Sequence, residues 1–182
     1  MRLFFALWPP RDLSCALAGS AAALARRFGG KPTREETIHM TLAFLDEVDA
    51  ARLPAVADAG RRVEAAAFDL VVDRFGVWRH NSLLWAGCAE PADGLRLLAA
   101  KLRERLLAAS IPFAETPRFV PHITLVRKAR LLHGEVEMPA PEPLAWPCSS
   151  FALTHSRPAA NGRREYGIVE SFPLSEPSAK RR

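Results

Sequence analysis

Cysteine is scarce in this 182-residue chain. Its three cysteines, Cys15, Cys88 and Cys148, stand far apart, and none shows the Cys-x-x-Cys spacing of a zinc site or a redox pair. That excludes a disulfide framework, and the three read as buried thiols. Long hydrophobic runs are missing too. The apolar opening Leu3-Phe4-Phe5-Ala6-Leu7-Trp8 is ended by Pro9 and Pro10, well short of a signal-peptide core or a membrane span. It reads as a first strand, and the chain as a cytoplasmic protein. No Gly-x-Gly-x-x-Gly opens a helix and no Gly-x-x-x-x-Gly-Lys-Ser/Thr occurs, which removes the common nucleotide-binding loops. No acidic ligand cluster stands out, so neither a metal nor another cofactor is expected.

What the chain does have is a core and an excess of positive charge. A hydrophobic share of 49% is enough for the interior of one domain, taken as 1–174 with a basic tail at 175–182. The net charge of +5 and a pI near 9.6 favour an anionic partner, nucleic acid being the natural one. Charge pairs such as Arg26-Arg27 and Arg61-Arg62 are on their own ordinary solvated surface. No heptad or long apolar edge calls for a second subunit, so a monomer is expected.

Periodicity orders the chain as strand, helix, strand, helix, two strands, helix, strand and two strands. The first helix is expected to be capped by Asp12, with Leu13, Ala16, Leu17, Ala21, Leu24 and Phe28 on its apolar face and Gly29-Gly30 at its end. A second is expected over 51–67, with Pro54 tolerated in the first turn. The third, over 92–109, carries the stripe Leu95, Leu98, Ala99, Leu102 and Leu106 and leaves Lys101, Arg103, Glu104 and Arg105 largely in water. Strands are expected over 37–45, 68–78 and 83–88, the last two joined by a turn at Arg79-His80-Asn81-Ser82. A closing hairpin pairs 151–156 with 166–172 across Asn161-Gly162, and the tail after Pro173 has little to bury. Hairpins interleaved with helices fit an α+β fold with helices outside antiparallel sheets.

One short pattern occurs twice: His39-Met40-Thr41-Leu42 and His122-Ile123-Thr124-Leu125. In a strand, the His and Thr of each copy share one face while the residues between and after them share the other. The copies lie 122 − 39 = 83 positions apart, which suits equivalent strands of two similar halves around a cleft. Two imidazoles on opposite sides of a phosphoryl group can divide proton transfer between them. The hydroxyls of Thr41 and Thr124 can then hold the non-bridging oxygens. A single histidine in an apolar strand is more often a satisfied core residue; the duplication is what lifts this pair. His80, His133 and His155 belong to no repeat and read as surface or structural. Trp8, Trp78, Trp85 and Trp146 read as core or rim packing, although an aromatic at a cleft mouth can stack on a terminal nucleotide.

At these residues the chain resembles the two-histidine (2H) phosphoesterase superfamily. It is more closely similar to that superfamily's bacterial and archaeal RNA 2',3'-cyclic phosphodiesterases, also called 2'-5' RNA ligases. The matching segments are Arg2-Leu3-Phe4-Phe5-Ala6-Leu7, His39-Met40-Thr41-Leu42-Ala43-Phe44-Leu45 and Phe119-Val120-Pro121-His122-Ile123-Thr124-Leu125-Val126-Arg127. The ending, Ser156 to Tyr166 to Pro173-Leu174, matches as well. The resemblance implies a bilobal, pseudo-two-fold α+β fold, with two antiparallel sheets enclosing a central cleft and one motif on each lobe. It further implies metal-independent hydrolysis of RNA 2',3'-cyclic phosphate ends to 2'-phosphates. His39 would be the donor to the leaving 3'-oxygen and His122 the acceptor that activates water. Arg127 would meet phosphate or brace its strand. The alternatives are 2'-5' RNA ligation by the same site, non-catalytic RNA-end binding, and a metal-dependent phosphatase or nuclease. One departure is visible: many relatives carry Gly after Phe44-Leu45, and Asp46 here places the following turn outside that pattern.

Overall fold

The apolar opening forms β1 (Arg2–Leu7), and its residues from Leu3 onward are buried because other strands flank it on both sides. In this computed structural model, residues 1–114, 119–131, 137–160 and 164–176 are described. His133, the Asn161-Gly162 turn and residues 177–182 lie outside them. After β1 come α1 (Arg11–Phe28), β2 (Lys31–Pro32), β3 (Met40–Glu47), α2 (Leu53–Arg61), β4 (Phe68–Val72), β5 (Arg74–Trp78) and β6 (Leu83–Gly87). Then follow α3 (Asp93–Ala108), β7 (Ile123–Arg127), β8 (Leu144–Cys148), β9 (Ser150–Pro158) and β10 (Arg164–Pro173).

The main sheet runs β10-β9-β1-β3-β7-β6-β5, with β2 added to β7 and every pairing antiparallel. The two His-x-Thr strands are neighbours at its middle. They touch through one registered pair, Met40 opposite Ile123, so two antiparallel half-sheets meet at a narrow seam. Stepping one residue either way along that register places Thr41 across from His122 and His39 across from Thr124. This is the α+β architecture expected, with a local two-fold relation at the seam. Helices bury their stripes beneath it: Leu13, Leu17, Ala21 and Leu24 of α1, and Leu95, Leu98, Leu102 and Leu106 of α3. Each fully buried leucine contributes roughly 1.5–3 kcal/mol. No helix among the described residues is long and apolar enough to cross a membrane.

Several expectations are corrected. Pro10, not Asp12, occupies the cap position of α1, and no side chain caps it; Asp12 already lies in the first turn, where its charge faces the positive helix end. Cys15 and Ala16 fall on the outer face of α1 and are exposed, so only Cys88 and Cys148 are buried thiols. The second helix is short: a one-turn 3-10 segment capped by Asp49 precedes α2, and beyond Arg62 the chain straightens. There Ala67 donates to the Ser175 carbonyl and Ser175 to that of Ala65, and Leu174 is buried. Ser175 is therefore tied down rather than the first residue of a loose tail. Lys101 and Arg105 are half-buried, donating to the carbonyls of Glu64 and Arg62 where α2's chain leaves its helix.

The single strand expected over 68–78 is two. Asp73 breaks it: its N–H donates to the Gly87 carbonyl, and its carboxylate accepts the Ala89 N–H at 2.7 Å. β5 stays in the main sheet beside β6, while β4 leaves to pair with β8 in a separate ribbon. The turn at Arg79–Asn81 joins β5 to β6 as the sequence indicates, with Ser82 at φ 53. Gly30 earns its place differently. At φ 93 it has left-handed backbone, and a Cβ there would lie 2.6 Å from the Arg127 carbonyl oxygen, so only glycine lets β2 close against β7.

Candidate active site

Both motifs begin alike. His39 and His122 each stand one residue before their strand rather than within it. His39 Nδ1 lies 2.7 Å from the Thr37 carbonyl oxygen, and His122 Nδ1 lies 2.9 Å from that of Val120. A carbonyl only accepts, so in each neutral ring Nδ1 carries the hydrogen and Nε2 keeps its lone pair. The same two-residue backward bond thus fixes tautomer and orientation twice.

The strands then share an irregularity that the sequence does not announce. Against β1, Ala6 faces Thr41 and Phe5 faces Ala43; against β6, Trp85 faces Thr124 and Leu84 faces Val126. Each His-x-Thr strand therefore carries an extra residue at the same place in the repeat, Leu42 in one and Leu125 in the other, and β3 has a second at Leu45. These are β-bulges, and a bulge resets the alternation of faces. The fifth residue after each histidine, Phe44 or Arg127, returns to the cleft, where strict alternation would send it away. Arg127 accordingly lines the cleft beside both histidines.

That cleft has a volume of about 1170 Å³. His39, Thr41, His122, Thr124 and Arg127 all line it, so the structure brings every candidate residue of the sequence together. The residues the sequence reading missed are Lys31, Arg34, Arg164, Trp78 and Tyr166; with Arg2 and Arg127, five cationic side chains and no carboxylate line the walls among the described residues. Arg2 and Tyr166 sit in family-matching segments, which was the available signal for them. Nothing local marks Lys31, which is set opposite Arg127 by a strand of two residues. Neither Lys31 nor Arg127 has an ion-pair partner among the described residues. Two like charges directly across a ladder repel. A bound anion would relieve that repulsion.

The two rings sit in unlike surroundings. Phe4, Trp8 and Tyr166 surround His39 with centroids at 4.9, 5.1 and 5.3 Å, and Trp8 is pinned by its indole N–H to Thr154 Oγ1. Burial pushes the His39 pKa down to about 4, the Thr37 carbonyl opposes that, and the charges of Arg127 and His122 push the same way as burial. His122 meets Trp78 at 4.4 Å, with the rings at 65°. Burial lowers its pKa too, opposed by the Val120 carbonyl and assisted by Arg127. Trp8 and Trp78 are thus walls of the histidine sites, whereas Trp85 and Trp146 are core. His80 and His155 do not line the cleft.

Asp46 takes φ 55, the left-handed conformation that a glycine would supply, and accepts from Arg2 Nε at 3.0 Å. Asp is among the few residues that tolerate that region, so the turn keeps a glycine-like backbone.

With this geometry in hand, the chain can be set beside known proteins. Residues 7–85 match the family described as LigT like Phosphoesterase. An RNA 2',3'-cyclic phosphodiesterase of Escherichia coli (strain K12) is 31% identical over 179 residues, spanning 96% of this chain and 97% of that protein. Another, from Thermus thermophilus, is 33% identical over 190 residues, spanning 96% and 90%. Among solved structures, E. coli LigT complexed with 3'-AMP matches with a TM-score of 0.86 at 31% identity, covering 96% of this chain and 98% of that one.

Proposed function

Because the chain belongs to the LigT-like phosphoesterase family, we propose that it is an RNA 2',3'-cyclic phosphodiesterase that opens cyclic phosphate ends to 2'-phosphomonoesters. The observation that carries the reading is the repeated imidazole: Nδ1 committed to a backbone carbonyl and Nε2 without a partner among the described residues, twice in one cation-lined cleft. Binding a terminal phosphate requires the cations and hydroxyls but not two such rings.

The reaction balances without a metal. His122 Nε2 takes a proton from water as its oxygen attacks phosphorus. The bond from phosphorus to the 3'-oxygen breaks, and His39 Nε2–H gives that oxygen its proton. The products are a 2'-phosphate and a 3'-hydroxyl, and a proton passing from His122 to His39 through solvent resets the pair. Thr41, Thr124 and Arg127 hold the non-bridging oxygens, where the transition state gathers charge. In the free enzyme, burial keeps His39 neutral at pH 7. A phosphate anion beside it favours the imidazolium, so substrate binding loads the acid with its proton.

The test is product analysis on an oligoribonucleotide ending in a 2',3'-cyclic phosphate, with chelator present. Wild type should yield a 2'-phosphate end, and His39→Ala and His122→Ala should each lose about 10²–10⁴-fold in rate. A 3'-phosphate product, or inhibition by the chelator, would contradict this mechanism. Joined 2'-5' strands would favour ligation, and binding without conversion would favour an RNA-end binder.

A further inference from the structure

Two segments of the chain, 13–34 and 119–131, contain no acidic residue. The fold brings them edge to edge at the rim of the cleft. Lys31 faces Arg127 across β2 and β7, the Arg130 N–H donates to the Phe28 carbonyl at 2.7 Å, and the methylene stem of Arg130 lies over Gly29. Arg26, Arg27, Lys31, Arg127, Lys128 and Arg130 are consequently gathered at one edge, all exposed. None of the six is in an ion pair among the described residues.

The opposite rim of the cleft carries three cations, two of them paired with carboxylates. Arg2 is bound to Asp46, Arg34 to Glu36 and the Arg164 carbonyl, and Arg164 to Ser156 Oγ. Those side chains are already committed. Six cations without an ion pair on this rim, against Arg164 on the other, are continuous with the cleft through Lys31 and Arg127 and are more than one cyclic phosphate needs. A nucleoside 2',3'-cyclic phosphate brings a single negative charge, whereas a strand brings one more with every nucleotide.

We propose that this edge carries the RNA backbone 5' of the terminal nucleotide. The substrate is then a strand of several nucleotides, its phosphates leaving the cleft past Lys31 and Arg127 and running over Lys128, Arg130, Arg26 and Arg27. The inference rests on the cyclic phosphodiesterase reading and adds the length of the substrate and the side on which it lies. Neutralising phosphates releases counterions, so such an interface weakens with salt by about 0.7 in the log–log slope per contact on single strands.

Two substrates separate the possibilities: an oligoribonucleotide of about eight nucleotides with a 2',3'-cyclic end, and the corresponding nucleoside 2',3'-cyclic phosphate. The variants are Lys128→Glu with Arg130→Glu, and the milder Lys128→Gln with Arg130→Gln. For the oligonucleotide, kcat/KM should fall at least tenfold in the first variant and less in the second, chiefly through KM. The salt slope should flatten by about 1.4 when two contacts are lost. Hydrolysis of the nucleoside substrate should be unchanged, which also shows that the variants fold. Equal behaviour of wild type and variants on the oligonucleotide, with the nucleoside still hydrolysed, would overturn the strand-binding edge and leave the reaction standing. Equal losses on both substrates would also overturn it. Wild type inactive on both would overturn the reaction and this inference with it.

Discussion

His39 and His122 share a backbone and differ in almost everything around it. Each donates Nδ1–H to the carbonyl two residues earlier, precedes a strand bulged at the leucine after its threonine, and ends that strand in left-handed backbone, Asp46 and Lys128 both at φ 55. Yet three aromatic rings enclose His39, while among the described residues Trp78 is the one ring packed on His122. Five residues further on, one half presents Phe44 and the other Arg127. The backbone repeat sets where the two imidazoles stand; the unlike neighbours are what can give them unlike tasks. An apolar, desolvating wall belongs to one half and a fixed positive charge to the other.

Removing that charge is the strongest way to break the contrast. Arg127→Gln deletes the one cleft-facing cation of the repeat, so kcat/KM on the cyclic phosphate should fall by about 10²–10³, as when one preorganised donor is lost. The pKa values of both histidines should rise, since Arg127 lowers both. Histidine NMR titrations alongside steady-state kinetics check the two halves of that statement together. A fall in activity with neither pKa moved would mean that Arg127 acts on substrate without sensing the rings.

A pH experiment sharpens the comparison from the other side. The folded pKa of His39 lies near 4, below its ordinary 6.5. Between those values the unfolded chain holds a proton that the folded chain refuses. The stability His39 confers is therefore present above pH 6.5 and is lost as pH falls towards 4. In urea unfolding, wild type should lose more stability between pH 7 and pH 4.5 than His39→Asn does. Equal losses would show that the aromatic wall does not exclude the charged ring.

The smallest effect expected is at the strand ends. Asp46→Ala should cost about 1 kcal/mol, because alanine pays for left-handed backbone that aspartate tolerates, and Asp46→Gly should remain close to wild type. Thermal or urea midpoints of the three proteins check the order. If alanine were as stable as glycine, Asp46 would be held by its bond to Arg2 rather than chosen for its backbone.

Much of this was legible in the sequence, for reasons particular to each element. Leu95, Leu98, Leu102 and Leu106 announce α3 because helical spacing is local, and the His-x-Thr copies announce two equivalent strands because they repeat. The bulges at Leu42 and Leu125 were hidden, since no glycine or proline marks them, and with them the face of Arg127. Period-two reasoning fails where the ladder inserts a residue. Asp73 hid likewise: one continuous β-like run is divided between two sheets by hydrogen bonds to Gly87 and Ala89, which lie in a different part of the chain. The outward face of Cys15 is a matter of helix phase, which composition does not carry. Lys31 belongs to the site only through a two-residue strand whose partner lies almost a hundred positions away, and no local pattern reports such a pairing.

The division of labour between the two halves is tested most directly by replacing the bridging 3'-oxygen of a nucleoside 2',3'-cyclic phosphate with sulfur. A thiolate leaves without needing a proton, so an acid becomes dispensable while a base does not. His39→Ala should hydrolyse the sulfur substrate at close to the wild-type rate while remaining crippled on the oxygen one, and His122→Ala should be crippled on both. Rescue of His122→Ala instead of His39→Ala would exchange the two roles and contradict the assignment.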